Sequence, residues 1–181
     1  MRLFTAFDLP DPLQTQVAAL QAPDALDARW TDPEQFHVTL RFIGDAPPEQ
    51  AERFEAALSQ VDVPAVTATP YGLDTLPSRR DPSVLIVGLE RTDRLLTLYE
   101  RVSAALEAEG LDPEDRTYRP HITLARVRDL DATAVHRFIE NQGPIALDSF
   151  PVEAFHLYES TLTSDGAEHE RRATVSLTAD G

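Results

Sequence analysis

Two histidine–threonine pairs carry the chemistry of this chain. The first is His37-Val38-Thr39-Leu40 and the second His121-Ile122-Thr123-Leu124, an offset of 121 − 37 = 84 in a sequence of 181 residues. With 5 histidines and 16 threonines, about 0.4 His-x-Thr triplets are expected by chance, so a single copy would say little. Two copies that share a β-branched middle residue and a following leucine say more. The plain alternative is a pair of ordinary strand fragments with surface histidines. An imidazole titrates near neutrality, so one can take a proton while the other gives one. Such a pair suits the opening of a cyclic phosphate, in which ring strain lowers the chemical demand and no metal is required. The threonine hydroxyls can hold the non-bridging oxygens, and an arginine can add charge-assisted, bidentate contacts.

The elements that carry these residues must then position them. Each motif lies in a run that reads as a strand, where residues two apart share a face. His37, Thr39 and Arg41 therefore share one face, with Val38, Leu40 and Phe42 on the buried one. His121, Thr123 and Ala125 lie opposite Ile122 and Leu124. The simplest arrangement brings the two open faces together across a cleft, related by a pseudo-twofold axis. Strict alternation points Arg126 away from His121, unless a bulge or the strand end turns it.

The flanking segments alternate between strands and helices. Residues 2–8 read as a strand, and 11–21 as a helix with Leu13, Val17 and Leu20 at helical spacing and Pro12 in its first turn. Arg29-Trp30 sits in a predicted loop. A strand over 36–43 ends at Gly44. Pro47-Pro48 opens a helix whose Ala51, Phe54 and Leu58 share a face. Strands are expected at 65–71 and 83–89, with a polar loop between them from Asp74 to Pro82. The second half repeats the plan. It has an amphipathic helix over 91–109 stopped by Gly110, a strand over 118–127, and a helix over 131–140 capped by Asp131. Strands at 145–159 and 171–178 can pair as a hairpin around Ser164-Asp165-Gly166. Tight turns and half-polar strands argue for antiparallel sheets. No Gly- or Ser-rich linker divides the chain, so 1–181 is expected to form a single bilobal domain.

Composition narrows the function classes. The hydrophobic content of 42% supports a core, and no apolar run approaches the ~20 residues of a membrane span. Met1 to Asp8 reads as a first strand rather than a signal peptide. The chain has no cysteine, which excludes disulfides, thiolate nucleophiles and cysteine-ligated metals; a cytoplasmic monomer is the default expectation. All 16 basic residues are arginine, which removes Schiff-base and P-loop lysines. A net charge of −15 makes a poor grip on long nucleic acid, although a local positive pocket can hold a short end. There is no H-E-x-x-H and no carboxylate signature around the histidines, so no metal and no cofactor are expected.

At these residues the chain resembles the two-histidine phosphoesterase superfamily, and within it the RNA 2′,3′-cyclic phosphodiesterases also called 2′-5′ RNA ligases. The resemblance runs from Arg2-Leu3-Phe4 and Leu9-Pro10 through Arg29-Trp30 and Phe36-His37-Val38-Thr39-Leu40-Arg41-Phe42-Ile43-Gly44. It continues through Arg119-Pro120-His121-Ile122-Thr123-Leu124-Ala125-Arg126 to Leu157-Tyr158-Glu159-Ser160 and the Gly166 turn. It implies an α+β fold, bilobal, with two antiparallel sheets facing a central groove, helices outside, and pseudo-twofold internal duplication. It implies hydrolysis of RNA 2′,3′-cyclic phosphate ends to 2′-phosphates, and a reverse reaction that joins tRNA halves through a 2′-5′ bond. On this reading His37 protonates O3′, His121 activates water, and Thr39 and Thr123 assist them. The family pattern gives phosphate binding to Arg126; strand parity gives it to Arg41, and both are retained.

Other side chains are open to two readings. Arg29 is a further substrate-binding candidate, and Trp30 is either a groove residue or a core anchor. Phe4, Phe7 and Tyr118 read as core, with Tyr118 retained as a candidate base contact. His136 reads as surface, His156 as a satisfied half-buried residue, and His169 as solvated beside a loop. Arg79 and Arg80 either reach RNA or decorate a solvated loop. A nucleotide-binding module without turnover, or a two-histidine esterase for small cyclic nucleotides, are the alternative functions.

Overall fold

The computed structural model describes residues 1–129 and 131–179. Its first half contains β1 (Arg2–Asp8), α1 (Asp11–Ala18), β2 (Ala28–Trp30), a short 3-10 turn at Pro33–Gln35, β3 (His37–Asp45), α2 (Pro48–Leu58), β4 (Val66–Ala68) and β5 (Pro70–Pro77). There follow β6 (Pro82–Leu89), α3 (Asp93–Ala108), β7 (His121–Val127), α4 (Ala132–Gln142), β8 (Phe150–Val152), β9 (Ala154–Thr163) and β10 (Gly166–Ser176). The fold is α+β with a large and a small antiparallel sheet, and four α-helices among the described residues.

Local chemistry explains the helices. Prolines occupy the first turns of α1 and α2, where a missing N–H costs nothing. Thr92 caps α3 by accepting from the Leu95 amide at 3.3 Å, and Asp131 caps α4 by accepting from the Ala134 amide at 3.0 Å. Leu95, Leu98, Val102 and Leu106 form the buried stripe of α3, each with 0% exposure. Burial of each such side chain contributes about 1.5–3 kcal/mol.

The large sheet runs β10-β9-β1-β3-β7-β6-β5, and β2 pairs with β7. Its two halves meet at one pair, Val38 with Ile122. β2 then takes over the same edge of β7, setting Arg29 opposite Arg126 and Trp30 opposite Ala125. The small sheet pairs β4 with β8. The offset of the histidine motifs extends far beyond them. Pro48–Leu58 and Ala132–Gln142, Val66–Ala68 and Phe150–Val152, and the starts of β5 and β9 at 70 and 154 are all related by the same 84 positions. The repeats are interlocked: β5 packs on β6, while β9 and β10 extend the sheet from β1.

Several local expectations change, among them the strand expected at 145–159, which starts at Phe150 and divides into β8 and β9 in different sheets. Arg29 and Trp30 lie in a short strand, because the open edge of β7 beyond Ile122 accepts it. The expected polar loop from Asp74 to Pro82 is mostly strand: Leu73 and Thr75 are buried, and β5 and β6 pair as far as Pro77 with Pro82. His169 lies within β10, opposite Ser160, and is half-buried rather than solvated beside a loop.

Candidate active site

The two histidine motifs are side by side in one sheet. Val38 and Ile122 are antiparallel partners. Extending that register by one residue each way sets His37 opposite Thr123 and Thr39 opposite His121. Residues opposite one another share a face, with Cβ atoms about 5 Å apart where pairing continues. The four side chains thus surround the pseudo-twofold axis on one face of the sheet. Val38 and Ile122, both 0% exposed, anchor the other face in the core.

The imidazoles are held in the same way. His37 Nδ1 donates to the Gln35 carbonyl at 2.7 Å, and His121 Nδ1 donates to the Arg119 carbonyl at 2.6 Å. A carbonyl can only accept, so each Nδ1 carries a proton and each neutral ring presents an unprotonated Nε2. Burial pushes both rings below the ordinary imidazole value of 6.5. Their charged neighbours differ. Beyond burial and the Gln35 carbonyl, His37 feels His169 and His121, which disfavour its protonation, and Asp8, which favours it. His121 feels the positive charges of Arg119 and Arg126, which disfavour its protonation. Among the described residues, the hydroxyls of Thr39 and Thr123 have no protein hydrogen-bond partner, leaving them available to oxygens of a ligand.

A bulge decides which arginine reaches this face. In β3 the register passes from Thr39–Ala6 to Arg41–Thr5 and skips Leu40. In β7 it passes from Thr123–Ile86 to Ala125–Leu85 and skips Leu124. Leu40 with Arg41, and Leu124 with Ala125, consequently point inward together, and the faces reverse beyond them. Arg126 emerges exposed on the His121 face, close enough to influence that imidazole. Phe42, its repeat equivalent, is 62% exposed.

Arg41 goes the other way, which corrects its expected place beside His37. It is 6% exposed, donates to the Asp112 carbonyl at 2.5 Å, and lies 3.5 Å from Glu107 and 3.6 Å from Glu114. Thr5 completes the bulge, accepting from the Arg41 amide at 3.0 Å while its hydroxyl donates to the Arg41 carbonyl at 3.3 Å. Arg29, the register partner of Arg126, is exposed on the same face. Trp30 points to the core and packs on Phe138 with ring centroids 5.8 Å apart. Tyr118 is a strut rather than a base contact. It stacks on Tyr99 at 4.2 Å, its hydroxyl donates to the Thr39 carbonyl at 3.0 Å, and burial raises its pKa far above the usual phenol range.

A cleft of about 640 Å³ opens beside His37, walled by Phe4, Asp8, Gln35, Tyr158, His169 and Arg171. The Phe4 ring lies 5.1 Å from His37, 5.3 Å from Tyr158 and 4.9 Å from His169. Asp8 gathers the polar wall: it accepts from Tyr158 and from Arg171, both at 2.5 Å, and lies 3.5 Å from His156 Nε2. His156 is buried, with Nδ1 2.9 Å from the Thr174 hydroxyl. Asp8, His169 and Arg171 are the members of this wall that motif reading passed over. The signal was present in the turn. Pairing Thr163 with Gly166 sets His169 opposite Ser160 and Arg171 opposite Tyr158, which gives them the parity already assigned to Tyr158. Among the described residues, no group of three or more His, Asp or Glu side chains is arranged to hold a metal ion.

The family model for the 2′-5′ RNA ligase superfamily matches residues 9–163, including both histidine motifs. The chain belongs to this superfamily. A Thermotoga maritima protein named RNA 2′,3′-cyclic phosphodiesterase is 29% identical over 175 residues, spanning 92% of this chain and 90% of its own length. A Thermus thermophilus protein of the same name is 30% identical over 178 residues, spanning 92% of this chain and 85% of its own. Among solved structures, TT0787 from Thermus thermophilus superposes with a TM-score of 0.80 at 25% identity and full coverage of both chains. Escherichia coli LigT in complex with 3′-AMP superposes with a TM-score of 0.76 at 24% identity over 98% of each chain. The 2′-5′ RNA ligase fold is therefore shared along the whole described chain.

Proposed function

We propose that this chain hydrolyses RNA 2′,3′-cyclic phosphate ends to 2′-phosphates by metal-independent acid–base catalysis, and that the same site runs the reverse 2′-5′ joining of RNA ends. One observation carries this reading. Two His–Thr pairs meet on one face of a sheet, each imidazole tethered through Nδ1 so that Nε2 is free to work.

In this mechanism the cyclic phosphate sits over the axis, with the Thr39 and Thr123 hydroxyls donating to its non-bridging oxygens. Arg126 supplies the positive charge. His121 takes a proton from water as it attacks phosphorus, and His37 gives a proton to O3′ as the P–O3′ bond breaks. The neighbouring charges support that polarity in one respect: His37 has a carboxylate, Asp8, that favours imidazolium against the opposing His169 and His121, while the charged neighbours of His121, Arg119 and Arg126, both favour the neutral base. The family relationship supports the substrate class. With a net charge of −15, the cationic footing is confined to a few arginines, which suits a terminus rather than a long duplex. The chain is read as a cytoplasmic monomer; among the described residues no helix is long and apolar enough to cross a membrane.

The test is incubation of a cyclic-phosphate-ended oligonucleotide with the protein in EDTA, followed by mass spectrometry for the added water and by chromatography against 2′- and 3′-phosphate standards for its position. The expected product gains one water and keeps its phosphate on O2′. A 3′-phosphate product would overturn the polarity, and no turnover of any cyclic phosphate would overturn the function. Turnover of cyclic mononucleotides alone would redirect it to a small-nucleotide esterase.

A further inference from the structure

The His121 side has an aromatic ring of its own, supplied in an unexpected way. An ideal Cβ built on Gly88 would lie 2.1 Å from Cζ of Tyr71. The tyrosine ring thus fills the space that a side chain at position 88 would take. Gly88 is the cross-strand partner of His121, so that space is on the catalytic face, next to the imidazole. By strand register position 88 is the repeat equivalent of Asp8, the cross-strand partner of His37, and on that side the Phe4 ring lies 5.1 Å from the imidazole. Where the first repeat has a carboxylate beside its histidine, the second has a glycine and the Tyr71 ring from the adjacent strand.

Tyr71 is held but not covered. Its hydroxyl donates to Asp74 Oδ2 at 3.0 Å, and the Arg119 guanidinium lies 3.8 Å from the same oxygen. Arg119 is also the residue whose carbonyl tethers His121. The tyrosine remains 51% exposed. Beside it a cavity of about 290 Å³ is lined by Tyr71, Ile86, Leu89, Arg91, Arg119 and Pro120. An exposed ring beside guanidinium groups, facing a partly apolar hollow, is suited to stacking on a nucleobase.

We propose that Tyr71 and this hollow seat a second nucleoside, the one carrying an RNA 5′-hydroxyl that replaces water as nucleophile. This rests on the function proposed above. O5′ attacks phosphorus of the cyclic ester, so the P–O5′ bond forms as the P–O3′ bond breaks. His121 takes the 5′-hydroxyl proton and His37 gives one to O3′, leaving a 2′-5′ diester. In the reverse step O3′ attacks phosphorus and the 5′-hydroxyl leaves, regenerating the cyclic phosphate. The Phe4 cleft holds the nucleoside on one side of phosphorus and Tyr71 the nucleoside on the other.

The experiment compares the intact protein with Tyr71→Ala and Tyr71→Phe on two substrates: 2′,3′-cyclic AMP, with one nucleoside, and 2′-5′-linked ApA, with two. Tyr71→Ala raises KM for 2′-5′ ApA about tenfold, the size of a lost base stack, and changes kcat/KM on cyclic AMP by less than about twofold. Tyr71→Phe keeps the stack and restores KM. Equal losses on both substrates, no loss on either, or an intact protein that turns over cyclic AMP but not 2′-5′ ApA would overturn the proposal. An intact protein inactive on cyclic AMP and on a cyclic-phosphate-ended oligonucleotide alike removes the parent function, and this subsite with it.

Discussion

His37 and His121 have the same backbone setting and opposite surroundings. Both are tethered through Nδ1 to the carbonyl two residues earlier, both are followed by a leucine bulge, and both are pushed by burial toward the neutral state. Yet His37 borders a cleft with Asp8, Phe4 and Tyr158, whereas His121 borders Arg119, Arg126 and a glycine where its counterpart has Asp8. The duplication supplies two equivalent proton carriers. The unequal walls give them different work, because a proton donor needs a neighbour that tolerates the cation and a base needs one that does not.

The strongest way to break the comparison is to remove one ring at a time. His37→Ala and His121→Ala should each lower kcat on a cyclic-ended oligonucleotide by roughly 10²–10⁴, the usual contribution of a positioned acid or base. The double variant should lose little beyond the worse single one, because the two act on one transition state. Full activity in either single variant would dissolve the pairing.

The two arginines at the bulge give the next largest effect, and they separate catalysis from stability. Arg126→Ala removes the cation beside His121 and should lower kcat/KM about 10- to 100-fold, the scale of a charge-assisted hydrogen bond to phosphate. Arg41→Ala should leave kcat/KM nearly unchanged while lowering the urea midpoint, because in a partly buried site Glu107 loses its cation and Glu114 keeps only Arg116. That stability cost is about 1–3 kcal/mol, below the range for fully buried pairs because the glutamates are partly exposed. Thr39→Val and Thr123→Val keep the side-chain shape and remove one donor each; about tenfold losses in kcat are expected, similar for the two if the axis passes between them.

Arg41 also marks where sequence reading stops. The paired motifs, the helices with their caps, the antiparallel class and the hairpin at Gly166 were legible because period and turn chemistry are local signals. A bulge is not local. One inserted residue exchanges the two faces of a strand. Nothing in Leu40-Arg41-Phe42 announces it, since Leu, Arg and Phe fit either parity. The repeat did hold a clue. Arg126 aligns with Phe42 rather than Arg41, so placing Arg126 at the phosphate implied the same reversal in β3. Tyr71 was illegible for another reason: its ring crosses to a neighbouring strand to fill the void over Gly88, and that void exists only once β5 and β6 are paired. His169 stood between these cases, recoverable from the turn register although not from composition.

The smallest effect tests the charge asymmetry itself. With both imidazoles below 6.5 in the free protein, the bell of kcat/KM should have its alkaline limb displaced to the acid side of the usual histidine value; these limbs belong to the coupled pair. A bound phosphate anion stabilises imidazolium, so the alkaline limb of kcat, which reports the complex, should lie at higher pH than that of kcat/KM. Asp8→Asn removes the carboxylate that favours protonated His37. It should move the alkaline limb of kcat/KM further down, while a change at the His121 wall, Arg126→Gln, moves the limb owed to His121 upward. Stability follows the opposite sense from a salt-bridged histidine. Because the folded pKa values are lowered, the unfolded chain binds more protons below 6.5, so this contribution is fully present above that value and is lost as pH falls through the folded values. If Asp8→Asn and Arg126→Gln move the same limb in the same direction, the walls do not divide the roles, and the polarity assigned to the two histidines fails with them.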